Sequence, residues 1–123
     1  MASSFYHLVV DSIEPETVAR FWSAVLDQPI LYLSDNGDEA IVGVDEQTYP
    51  GLCFLRDPNR KTVKNRLHID LNPDDQDAEV DRVLALGARR VDIGQSSDVS
   101  WVVLADPEGN EFCVLRRHGS LID

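Results

Sequence analysis

Several features that would assign a function at once are missing from this chain. Basic residues are scarce: 11 Lys and Arg stand against 22 Asp and Glu, and the formal net charge is −11. Nucleic-acid binding needs clustered basic residues to neutralise phosphates, so this composition excludes that class of partner. No apolar run is long enough to span a bilayer, and we expect no membrane association. Glycine-rich nucleotide loops and the GxSxG serine elbow are also absent.

Cysteine is equally scarce, with two in 123 residues. Residues 1–4 lack the basic segment and apolar run of a secretory signal. We therefore expect a cytoplasmic protein in which Cys53 and Cys113 are reduced thiols. A chain that is 43% hydrophobic can bury a core without disulfides, and its length fits one domain or two halves sharing a core.

The chain contains an internal repeat, in which the same sequence pattern occurs twice. His7 begins an alternating apolar stretch, a helical pattern follows, and a Leu-Cys-Phe sequence around Cys53 lies near the end of the unit. His68 begins the second copy, and Phe-Cys-Val around Cys113 lies near its end, at the same spacing to within one residue. A repeat of this kind sets the architecture, because two copies related by a pseudo-twofold axis bring equivalent side chains face to face.

Each copy predicts strand, helix, strand, strand, strand from its apolar periodicity and turn residues. The first unit, 5–56, has predicted strands at 5–11, 30–33, 39–44 and 52–56 and a helix with apolar Val18, Phe21, Trp22, Val25 and Leu26. The second unit, 66–117, has predicted strands at 66–71, 90–93, 101–104 and 111–116 and a helix with apolar Val80, Val83, Leu84 and Leu86. Residues 57–65 form a solvated connector, and 118–123 form a tail.

Four segments resemble the vicinal oxygen chelate superfamily, which includes glyoxalase I, extradiol dioxygenases and bleomycin-resistance proteins. They are His7–Asp11, Pro15–Leu26, Arg66–Leu71 and Trp101–Leu115, the last with Asp-Pro-Glu-Gly-Asn before the final strand. The resemblance covers residues 5–117 and is strongest to the small glyoxalase-like actinobacterial branch. It implies a single α+β domain over 1–123: two βαβββ modules in a pseudo-twofold arrangement, with curled mixed sheets around a central cavity and helices outside.

The resemblance also implies where a metal would bind, since metal-dependent members take one ligand from each first strand and one from each last strand. His7 and His68 occupy the first-strand positions. Cys113 stands where glyoxalase I usually has a glutamate, and the repeat places Cys53 at the counterpart. Two imidazoles and two thiolates suit Zn(II), with Ni, Mn or Fe as alternatives. Glu111, on the same strand face as Cys113, is a substitute ligand or a general base.

These residues also have a structural explanation. A buried Cys packs as a small apolar residue, and a His on a strand is more often a hydrogen-bonded core residue than a ligand. Without a metal, His7 and His68 still line the cavity, where Asp11 and Asp70 would orient them for acid–base chemistry or ligand binding. The other predicted cavity residues are Val9, Trp101 and Val103, of which Trp101 offers a stacking surface or simply packs.

Three functions stay open at this point. Because both last-strand carboxylates of glyoxalase I are absent, we expect first a protein that binds a cationic or aromatic small molecule, sequestering a drug as bleomycin-resistance proteins do. The alternative is a lyase, isomerase or epimerase acting on a small oxygenated substrate, with or without metal, and with His7, His68 and Glu111 as catalytic residues. A non-catalytic partner domain is a third reading. We expect a homodimer, since closed two-fold dimers are the commonest oligomers.

Overall fold

The computed structural model describes residues 2–123, which divide into two compact units on either side of the Arg60–Lys61 bond. We call residues 2–60 the first module and residues 61–123 the second module. Each module contains one helix and one mixed four-stranded sheet, which confirms the predicted α+β class and the two βαβββ units. Within residues 2–123, neither helix has the length and apolarity needed to cross a membrane.

The first module has its sheet in the order β1-β4-β3-β2. Its elements are β1 (His7–Ser12), α1 (Pro15–Leu26), β2 (Ile30–Leu33), β3 (Glu39–Val42) and β4 (Gly51–Arg56). β1 pairs with β4 in parallel, whereas β3 runs antiparallel to both of its neighbours. Helix α1, β2 and β3 together form the connection between the parallel strands β1 and β4.

Helix α1 forms where the sequence predicts it. Pro15 is at the first helical position, where its missing N–H is not needed. The predicted stripe is buried at Val18, Phe21, Trp22 and Val25, and the rings of Phe21 and Trp22 pack edge to face with centroids 5.3 Å apart. Burial of this face against the sheet supplies most of the helix's stability.

The second module has its sheet in the order β5-β8-β7-β6. Its elements are β5 (Ile69–Leu71), α2 (Gln76–Leu86), β6 (Arg89–Arg90), β7 (Val102–Ala105) and β8 (Glu111–Val114). β5 pairs with β8 in parallel, and β7 is antiparallel to β6 and β8. The module thus repeats the strand order of the first.

Several predicted strands are longer than the observed ones. The strand predicted at 90–93 ends at Arg90, because the following loop uses side chains to satisfy its own backbone. Asp92 accepts the N–H of Gly94 at 2.8 Å, and Gln95 accepts the N–H of Ile93 at 2.9 Å. Such local hydrogen bonds compete with a sheet ladder.

Helix α2 begins at a side-chain cap and ends at a glycine. The Asp75 carboxylate accepts the N–H of Ala78 at 3.0 Å, and Gly87 follows the helix with a φ of 122°. Val80 and Val83 are buried as predicted, but Leu86 at the last helical position is 38% exposed.

A tight turn joins β7 to β8. The buried Asp106 carboxylate accepts the N–H groups of Glu108 at 2.9 Å and Asn110 at 3.0 Å. Gly109 has a φ of +89°, a region that side-chain-bearing residues rarely adopt, and its N–H donates to the Asp106 carbonyl at 2.9 Å. The turn thereby fixes the register between the two strands that it connects.

The buried Asp106 carboxylate gives the first testable prediction. Asp106→Ala leaves two backbone N–H groups of the turn without their acceptor, and we expect a loss of about 2–3 kcal/mol in the free energy of unfolding. Urea unfolding followed by circular dichroism measures it. Asp45→Ala is the matched control, because Asp45 makes the same kind of bond, to the N–H of Gln47 at 2.9 Å, in an exposed loop. An equal loss in both variants would contradict the prediction.

Candidate functional site

A cavity of about 370 Å³ opens within the second module. Its apolar walls are Ile93, Trp101 and Leu115, and its polar groups include His68, Asp70 and Cys113. The volume lies in the range of small-molecule sites, which combine apolar walls with a few polar groups. The cavity is therefore the candidate functional site.

Strand register brings the cavity residues together. Cys113 on β8 pairs with Asp70 on β5 and with Val103 on β7, so the three side chains lie in a row on one face of the sheet. Cys113 and Val103 are buried at 4% and 3% exposure. Trp101, two residues before Val103, lines the cavity and keeps 41% of its surface exposed. The ligand-binding roles expected for Trp101 and Val103 stay predictions, and Val103 is not among the residues that line this cavity.

Three potential metal ligands lie together at this cavity. The donor atoms of His68, Asp70 and Cys113 are all within 4.8 Å of one another, and His68 Nε2 is 3.2 Å from Asp70 Oδ1. An imidazole nitrogen, a carboxylate oxygen and a sulfur are the donors that Zn(II) and similar divalent ions take in proteins. The donor set therefore fits the metal expected from the sequence resemblance. Asp70 was predicted to orient the histidines and to contact a ligand, and was not among the predicted metal ligands.

The Cys113 thiol is held in its neutral form. Burial raises its pKa to about 11, the negative charge of Asp70 and a hydrogen bond with it act in the same direction, and the charge of Lys64 opposes them. A neutral, buried thiol is a poor nucleophile. Cysteine-based covalent chemistry is thus disfavoured here.

Glu111 lies on the same strand but is engaged elsewhere. It is 7% exposed, Lys61 Nζ lies 3.0 Å from its Oε2, and the N–H of Asn65 donates to Oε1 at 3.2 Å. Burial acts to raise the pKa of Glu111, but hydrogen bonds from Lys61, its own backbone and Asn65 outweigh burial and lower it. The carboxylate therefore anchors residues 61–65 to β8. Its role as a base or substitute ligand stays a prediction.

The first module has the same ladder with different side chains. Cys53 on β4 pairs with Val9 on β1 and with Ile41 on β3, so Val9 takes the place that Asp70 has in the second module. The carboxylate beside Cys53 comes instead from Glu39 on β3, whose Oε2 is 3.5 Å from Sγ. Burial raises the pKa of Cys53 to about 11, and Glu39 adds to the effect. Glu39 was not predicted as a site residue, although its place two residues before Ile41 puts it on the same face of the sheet.

The other predicted site residues are placed within their own modules. His7 is half-buried, with its ring 4.1 Å from that of Tyr6, and Asp11 is exposed near the end of β1. The convergence of His7 and Cys53 on His68 and Cys113, and the central cavity that this requires, stay predictions. Two further cavity residues, Ile93 and Leu115, were not predicted. Leu115 could have been found, because it continues the alternation that begins at Cys113. Ile93 lies in a loop, where no periodic pattern indicates its position.

The buried thiols predict slow alkylation. A pKa of about 11 in place of 9.0 leaves about 100-fold less thiolate at pH 8. Because iodoacetamide reacts with the thiolate, each rate should keep rising above pH 9, as mass spectrometry of each cysteine peptide would report. Asp70→Asn should accelerate Cys113 alone, and Glu39→Gln Cys53 alone. A rate that levels off near pH 9 at either cysteine would contradict this.

Comparison with known proteins places this geometry in a family. The family model described as "Glyoxalase-like domain" matches residues 7–115. A search of the curated proteins finds no significant match. The match to the family model begins at His7 and ends at Leu115, and thus includes both repeats.

Solved structures share the fold at low sequence identity. A glyoxalase/bleomycin resistance protein/dioxygenase family enzyme from Burkholderia phytofirmans superposes with a TM-score of 0.70 at 15% identity, covering 94% of this chain and 100% of that one. The fosfomycin resistance protein FosX from Mesorhizobium loti gives 0.70 at 18% identity, covering 99% and 96%. Glyoxalase I from Leishmania major gives 0.65 at 13% identity, covering 94% and 87%. These neighbours confirm the fold, and the family match over most of the chain shows that this protein belongs to the glyoxalase-like domain family.

Proposed function

We propose that the protein binds a small organic molecule, preferably a planar aromatic cation, in the cavity of its second module. The observation that carries the proposal is Trp101, a large aromatic side chain that lines a concave site yet stays 41% exposed. An indole face of this kind stacks on planar rings and attracts cations through its π-electrons. Ile93 and Leu115 supply apolar surface beside it.

Charge supports a cationic ligand. The chain carries a net charge of −11, and Asp70 places a carboxylate at the cavity with about half of its side-chain surface exposed. Acidic clefts raise the local concentration of cations. The charge of Lys64 reaches Cys113, so we expect a cationic ligand to lie between Trp101 and Asp70 rather than against the thiol.

Binding of this kind would give the protein a role in drug resistance. One structural neighbour is a fosfomycin resistance protein, and another belongs to a family named in part for bleomycin resistance. We propose that this chain contributes to resistance by sequestering a drug-like molecule, as a homodimer in the cytoplasm. The net charge of −11 and the aromatic wall support the binding of such a molecule.

The second candidate is a lyase, isomerase or epimerase acting on a small oxygenated substrate. It is favoured by the His68 imidazole, which lies 3.2 Å from the Asp70 carboxylate at the surface of the cavity. A carboxylate orients an imidazole by hydrogen bonding, and an imidazole so placed can take up and return a proton. A divalent ion held by His68, Asp70 and Cys113 would polarise a substrate oxygen.

Binding to the Trp101 wall is tested with a pair of matched probes. N-Methylquinolinium and neutral quinoline differ in charge, and isothermal titration calorimetry at pH 8 should show tighter binding of the cation. Trp101→Ala should lower the affinity for the cation by about tenfold, since the substitution removes stacking and cation–π contact together. Trp22→Phe is the control, because Trp22 is buried in α1 and should leave the affinity unchanged. Equal affinity for wild type and Trp101→Ala would refute the proposal.

Turnover separates the two candidate functions. Incubation with a panel of 2-hydroxy ketones and epimerisable 2-hydroxy acids, followed by chiral chromatography and mass spectrometry, should return every compound unchanged if the protein is a binder. Conversion that falls about 100-fold or more in His68→Ala, and not in His118→Ala, would establish the enzyme instead. His118 is the matched control because it lies in the C-terminal tail, outside the cavity lining.

A further inference from the structure

We infer that His68, Asp70 and Cys113 form a complete binding site for a thiophilic divalent metal ion, Zn(II) or Cd(II), within the second module alone. This set differs from the four-ligand set His7, Cys53, His68 and Cys113 expected from the sequence, because its third donor is Asp70. The inference shares the cavity of the proposed function but does not depend on an organic ligand.

The donors are already near coordination distance. Ligands 2.0–2.3 Å from a tetrahedral ion lie about 3.3–3.8 Å from one another. His68 Nε2 and Asp70 Oδ1, at 3.2 Å, have reached that separation, and all three donor atoms are within 4.8 Å. The remaining contraction is about 1 Å, which the exposed side chains of His68 and Asp70 can supply by rotation while Cys113 stays fixed in the sheet.

The donor chemistry selects the metal. Mg(II) and Ca(II) require oxygen ligands, and one carboxylate among three donors does not satisfy them. A site with a thiolate and an imidazole favours Zn(II) and Cd(II). One thiolate and one carboxylate neutralise a divalent charge when the imidazole is neutral, so binding leaves no uncompensated charge at the buried sulfur.

Three protein ligands leave the fourth tetrahedral position open. His68 and Asp70 have 40% and 50% of their side-chain surface exposed, whereas Cys113 is buried behind them. A metal ion held by these residues would be reached from the side of the exposed His68 and Asp70, where water or a ligand oxygen could bind it. Sites with three protein ligands and one free position are typical of reactive rather than structural zinc.

The first module serves as an internal comparison. Val9 occupies the position equivalent to Asp70, and the carboxylate beside Cys53 comes from Glu39. Among residues 2–60, the structure brings no three such donors within coordinating reach of one another. The repeat thus predicts one ion per chain rather than two.

Cobalt(II) titration of the full-length protein, reduced and stripped of metal, tests the site. Ligation by Cys113 gives a near-ultraviolet sulfur-to-cobalt charge-transfer band, and tetrahedral geometry gives intense visible bands. We expect saturation at one equivalent per chain and displacement by Zn(II). Cys113→Ser should remove the charge-transfer band, and Asp70→Asn and His68→Ala should each weaken cobalt binding at least tenfold.

Cys53→Ser is the matched control and should leave the band and the stoichiometry unchanged. A loss of the band in Cys53→Ser, or of affinity in His7→Ala, would overturn the single-module site and favour the four-ligand set. Absence of cobalt binding to the reduced protein would overturn it as well. Circular dichroism checks the fold of each variant. If Cys113→Ser does not fold, the cobalt affinity of Asp70→Asn tests the site, because the Asp70 side chain is exposed and its substitution leaves the core intact. Quinolinium binding to metal-free protein is measured separately, so either proposal can fail without the other.

Discussion

The structure of the site depends on one ladder, in which β8 lies between β5 and β7 and aligns Cys113 with Asp70 and Val103. The period of a strand is two, so a shift of one residue would turn Cys113 away from the cavity face and bring Phe112 or Val114 in its place. The Asp106 turn prevents that shift by fixing the antiparallel register. The parallel register is held separately, since the buried Glu111 pairs with Lys61 and binds the N–H of Asn65 just ahead of β5.

The same ladder in the first module shows how far a duplicated backbone can diverge in chemistry. Each buried thiol has one carboxylate beside it, but the carboxylate comes from opposite sides of the central strand: from Glu39 on β3 in one module and from Asp70 on β5 in the other. In the second module the β5 position also brings the carboxylate to the histidine two residues earlier. His68 pairs with Asp70 because the acid of the second module lies on β5, two residues after the histidine.

The sequence predicts the parts of this arrangement that arise from local patterns. Apolar periodicity locates both helices and most strands, and the Asp-Pro-Glu-Gly-Asn turn before β8 follows from residues that favour its dihedral angles. Alternation assigns Trp101, Val103 and Cys113 to faces. It does not reveal which strand lies opposite Cys113, so the contact between Asp70 and the thiol was missed. The ion pair between Lys61 and Glu111 was not predicted, because a charge pair between residues so far apart in sequence leaves no local pattern. The loop after Arg90 was missed for the opposite reason, since polar side chains there satisfy backbone groups that an alternating pattern would assign to a strand.

A carboxylate beside a buried thiol has opposite effects on two kinds of chemistry. It disfavours the thiolate, and with burial it raises the pKa of Cys113 to about 11, so a nucleophilic role is suppressed in the metal-free protein. The same negative charge attracts a cation, whether an organic cation against Trp101 or a metal ion that replaces the thiol proton. The β5 partner of Cys113 is an acid, and with burial it favours the neutral thiol, so the electrostatics of the cavity favour the binding of positive charge over the generation of a nucleophile.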